Sequence, residues 1–149
     1  MSIYYATTIP GVLWFAALLL QADRLCSRIT ANLFLLLSVL CLITGIVLHH
    51  NNFFPEKGGA IVVLFAVPLI FTGIFELFRL LYHALRHENP CINVRSGRLI
   101  GDRPADGFFT TYPPEKVILW PDVLFGISQM TVPTVVTMVL LICALATNW

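Results

Sequence analysis

The chain has 149 residues and a formal net charge of +1, with 58% of its residues hydrophobic and only 11% charged. Soluble domains carry about 25% charged residues, and a core of this size could not hide so many long apolar runs, so the composition excludes a soluble globular protein and indicates one integral to a membrane. The Lys and Arg residues are scattered without a run, which excludes a nucleic-acid-binding face.

The apolar runs predict one polytopic domain over 1–149, with spans at about 3–20, 32–48, 60–78 and 124–147. The first is the weakest, because Thr7, Thr8, Pro10 and Gly11 interrupt it. Neighbouring helices and Thr hydroxyls can satisfy backbone groups freed by Pro in a span. No basic residue precedes this run, and Gln21-Ala22-Asp23-Arg24 follows it in place of a small-x-small cleavage site. It therefore reads as a retained span and not a signal peptide. Neither end carries a lipidation motif.

The second run ends at His49-His50-Asn51-Asn52, and the loop after it sets Phe53, Phe54 and Pro55 beside Glu56 and Lys57. Aromatic residues flanked by polar ones suit the headgroup layer.

The third run, residues 60–87, has no ionisable side chain before Glu76. At the helical rise it extends about 42 Å, more than a hydrocarbon core of about 30 Å requires. Its last third sets Glu76, Arg79, His83, Arg86 and His87 among leucines, an amphipathic continuation that leaves the bilayer. Pro68 predicts a kink, and Gly73 a surface of close approach.

Residues 88–122 form the one long polar stretch. Asn89-Pro90 stops the helix. The alternation over 91–94, the Ser96-Gly97 turn signal and Leu99-Ile100 predict a β-hairpin, and 116–120 reads as a third short strand broken by Pro121. The expected fold is thus an all-α integral membrane protein of four transmembrane helices, with a small cytoplasmic β-hairpin-containing insertion between the third and fourth.

One family resemblance rests on this segment. Asn89 and Pro90 leaving a long helix, the Gly97 turn, and an apolar stretch ending in Trp120, Asp122 and Val123 resemble a pattern in small bacterial inner-membrane proteins. Those proteins carry a cytoplasmic β module similar to a pleckstrin-homology fold. The likeness covers about a quarter of the chain, departs from the family where a fourth span replaces the rest of the module, and implies no catalytic residue.

Basic residues set the expected orientation. Arg24, Arg28, Arg79, Arg86, Arg95, Arg98, Arg103 and Lys116 fall on one side of a four-span path, and Lys57 on the other. The positive-inside rule then puts both termini outside, in the periplasm of a bacterial inner membrane, and the arginine-rich segment in the cytoplasm. Tyr4, Tyr5 and Trp149 would anchor the outer interface, and Tyr82 and Trp120 the inner one.

Residues able to do chemistry are few. His83 and His87, four apart, would share one helix face, but no HExxH, CxxC or acidic partner accompanies them, and His49 and His50 lie on the opposite side of the bilayer. Haem would need histidines within the spans. Cys41 and Cys143 fall in spans and Cys26 and Cys91 face a reducing cytoplasm, so all four read as thiols. No cofactor or metal is expected. Glu76 is the one acid near hydrocarbon, and Arg79 one turn away makes an ion pair the simpler reading over a proton relay.

Small residues such as Gly45 and Gly73 permit close helix approach, within the chain or against another protein. The sequence therefore points to a protein that is no enzyme and works by contact, with Glu76, Arg79, Gly45, Gly73, Trp120 and Asp122 as candidate interaction residues. Its expected partner is another membrane protein. That partner is a pore-forming or membrane-inserting toxin blocked by an immunity-type protein, or alternatively the rest of a larger respiratory, photosynthetic or secretion complex. A membrane-embedded enzyme or carrier built on Glu76 and the histidines is the third alternative.

Overall fold

The computed structural model describes residues 28–53, 58–88, 90, 101 and 116–146. Among them are three helices: α1 (Arg28–His50), α2 (Gly58–Arg86) and α3 (Trp120–Ala146). Each is long and apolar enough to cross a membrane. At about 1.5 Å per residue even the shortest matches a hydrocarbon core of about 30 Å. Large apolar side chains such as Leu36, Leu40, Val135 and Ile142 stand exposed along α1 and α3, as suits a lipid solvent.

This corrects the expected fold. The described residues contain three spans and no strand, in place of four helices and a β-hairpin. The expected span 3–20 and the expected hairpin at 91–100 lie outside the described residues. The third expected strand is a helix start: 116–119 has no regular structure and Trp120 opens α3. Pro121 does not end a strand there. It suits a first helical turn, where a missing N–H leaves no bond unmade.

A polar side chain completes that start. Asp122 Oδ2 accepts a hydrogen bond from the Leu119 N–H at 2.8 Å, reaching back as the third residue of a capping box does. The Asp122 and Val123 N–H groups meanwhile donate to the Leu119 carbonyl.

The other ends are also closed locally. After α1, Asn52 adopts φ 51°. Its N–H donates to the His49 carbonyl and that of Phe53 to the Leu48 carbonyl, the bond pair of a Schellman motif. After α2, His87 adopts φ 55° and its N–H donates to the His83 carbonyl at 2.7 Å. Both α2 and α3 continue through a proline, Pro68 and Pro133. Hydroxyls of Ser38, Thr44, Thr72, Thr131 and Thr134 donate to carbonyls one turn back, which satisfies them without a second helix.

Helix α2 is central and packs against both α1 and α3. The end of α1 meets the start of α2, where Gly45 faces Phe65 and Gly58 faces His49. The end of α2 meets the start of α3, where Tyr82 faces Asp122. Both neighbours therefore run antiparallel to α2.

Candidate functional site

The polar and aromatic side chains of the spans converge on the seam between α2 and α3. From α2 come Phe75 and Tyr82, with the Glu76–Arg79 pair on the same stretch of that helix, and from α3 come Asp122, Phe125 and Gln129. Spacings of three and seven put Asp122, Phe125 and Gln129 on one helical stripe, and the same spacing of seven joins Phe75 to Tyr82. All five of these are buried.

Phe125 sits between two rings of α2. Its centroid is 5.7 Å from that of Phe75 and 5.9 Å from that of Tyr82, with interplanar angles of 81° and 84°. Such edge-to-face pairs contribute about 0.5–1.5 kcal/mol each, a useful increment in lipid, where apolar burial alone gives helices no reason to associate.

Above this stack the Tyr82 hydroxyl donates to Asp122 Oδ1 at 2.8 Å. Asp122 is only 2% exposed, and its two oxygens thus serve a tertiary bond and a helix cap together. Tyr82, expected as an interfacial anchor, belongs instead to the interior. Trp120, expected beside it, stands 65% exposed.

Glu76 and Arg79 form the ion pair that their spacing suggested. Arg79 Nη2 and Nε donate to the same oxygen, Glu76 Oε2, at 2.7 and 2.9 Å. The other oxygen, Oε1, is buried with no hydrogen-bond partner among the described residues. Gln129, which sequence reasoning passed over, is 1% exposed, and neither Oε1 nor Nε2 has a partner there. A primary amide inside an apolar run was the signal for it.

The two glycines part company. A Cβ on Gly45 would lie 2.5 Å from Phe65 Cβ, so this glycine serves contact between α1 and α2 within the chain. Phe65 belongs there to a core cluster with Cys41 and Ile61, against which Leu48 packs. Gly73 is exposed, and among the described residues nothing lies within 4 Å of its Cβ position.

The histidines do not assemble. Helix α2 ends at Arg86, and the left-handed backbone of His87 takes it out of helical register with His83. His49 lies against Gly58, at the far end of α2. Among the described residues no group of three or more His, Cys, Asp or Glu side chains could hold a metal ion.

Outside the spans, Lys116 pairs with Glu88 just beyond α2. That hydrogen bond, reinforced by the Lys116 charge and also by that of Arg86, holds the Glu88 carboxyl below its ordinary range against an opposing effect of desolvation. The Gly101 N–H donates to the Ile118 carbonyl at 2.9 Å nearby. No known protein family, curated protein or solved structure matches the chain.

Proposed function

We propose that this chain is a multi-pass protein of a bacterial inner membrane that acts by contact with another membrane protein, most concretely as an immunity-type protein that blocks a pore-forming or membrane-inserting toxin. One contrast carries the reading. Polar groups of the spans are largely engaged within the chain, in the Glu76–Arg79 and Tyr82–Asp122 pairs and the hydroxyl bonds to backbone. Among the described residues, the exposed surface of the helices is largely apolar and includes the backbone at Gly73. Such a surface recognises other helices by shape. With eight of the nine basic residues toward one side, the arginine-rich segment belongs in the cytoplasm.

A subunit role in a larger membrane complex is the second reading. It is favoured by the way α1 and α3 each pack chiefly on α2, which leaves long apolar faces for helices that would always be present.

The test is affinity purification in mild detergent with a photo-crosslinking residue at Gly73. A toxin recovered when it is present, with protection of cells lost on deleting this chain, supports the first reading. Fixed-stoichiometry recovery of a large complex supports the second. Crosslinks to lipid alone, with no protein recovered, would overturn both.

A further inference from the structure

The helix register puts the unpartnered polar atoms of Glu76 on α2 and Gln129 on α3 at one depth. Tyr82 stands opposite Asp122 across antiparallel helices. Gln129 is seven residues beyond Asp122 and Phe75 seven before Tyr82, two turns or about 10.5 Å in each case. That register sets Gln129 against the turn holding Phe75 and Glu76. The contacts of Phe125 with both Phe75 and Tyr82, on either side of its own level, agree with it.

Three atoms there have no hydrogen-bond partner among the described residues: Glu76 Oε1, Gln129 Oε1 and Gln129 Nε2. Two accept and one donates. Lipid cannot satisfy them, and buried polar groups of this kind are ordinarily paired with protein or with ordered water. Nearby groups are already committed: Arg79 bonds Glu76 Oε2, and the Thr72 hydroxyl turns back to the Pro68 and Leu69 carbonyls. Because Arg79 already balances the carboxylate charge, the complement is a neutral guest with two donors and an acceptor.

We propose that one ordered water molecule is bound between α2 and α3, donating to Glu76 Oε1 and Gln129 Oε1 and accepting from Gln129 Nε2. Three bonds is the usual number for a buried water. The site ties the Glu76–Arg79 pair to α3, a link that no direct side-chain bond makes among the described residues.

Nuclear magnetic resonance on the full chain in lipid nanodiscs tests this directly. Gln129 and Gln21 are the only glutamines, so ¹⁵N-glutamine labelling with a Gln21→Asn variant assigns the side-chain amide. The expected result is magnetisation transfer to the Gln129 amide from a water that tumbles with the protein. It should fall several-fold in Glu76→Leu and persist in Glu76→Gln, which keeps an acceptor. A wild-type Gln129 amide with no water contact would overturn the site whether or not the variants fold. So would a signal indifferent to Glu76→Leu.

Discussion

The Tyr82 hydroxyl and the Asp122 carboxylate meet at 2.8 Å although 40 positions separate them in sequence. The bond crosses from the end of α2 to the start of α3 and spans the whole polar insertion. Because Asp122 also holds the Leu119 N–H, Asp122→Ala should cost about 2–3 kcal/mol, a charge-assisted bond and a cap together. Tyr82→Phe should lose about 1–2 kcal/mol and leave the cap intact. Thermal unfolding in detergent micelles measures both, and equal losses would show that the tertiary bond and the cap are not separable in this way.

Gly45 and Gly73 predict opposite outcomes when a side chain is added. Gly45→Leu drives a side chain into Phe65 and should separate α1 from α2, lowering stability by about 2 kcal/mol or more. Gly73→Ala meets open space and should raise stability by about 0.5–1 kcal/mol through helix propensity. If Gly73 seats a partner, the alanine variant should unfold later yet recover less of that partner on purification.

The Glu76–Arg79 pair should behave as a unit. Both side chains are partly exposed, at 32% and 24%, so a double-mutant cycle with Glu76→Leu and Arg79→Leu should give a coupling of only about 1 kcal/mol. A coupling near zero would make the pair incidental.

The Lys116–Glu88 contact should make the junction acid-sensitive. With the folded Glu88 carboxyl held below its ordinary range, its contribution is present above the unfolded value and is lost as pH falls through the folded one. The protection factor of the Gly101 amide, whose N–H bonds the Ile118 carbonyl, should fall in that acid window once the slower intrinsic exchange at low pH is divided out. In Lys116→Met the extra step should disappear, and high salt should weaken it in the wild type.

Orientation is open to thiol labelling. In a background without native cysteines, Arg98→Cys should resist a membrane-impermeant reagent in intact cells, whereas Asn51→Cys should react. The reverse pattern would invert the topology drawn from the basic residues.

Some of this architecture was legible in the residues alone, and some only in three dimensions. Long apolar runs identify spans because a helix that crosses lipid must be apolar over about 20 residues wherever it packs. The Glu76–Arg79 pair lies within one turn, so its spacing suffices to suggest it. Pro121 misled, because the same residue can end a strand or sit in the first turn of a helix, and the choice rested on Asp122 reaching back to Leu119. No periodicity could decide which glycine faces the interior, whether Tyr82 is anchor or core, or that Tyr82 meets Asp122. Helices apolar on every side carry no stripe to say which face meets which, so only steric fit between α1, α2 and α3 settles those pairings.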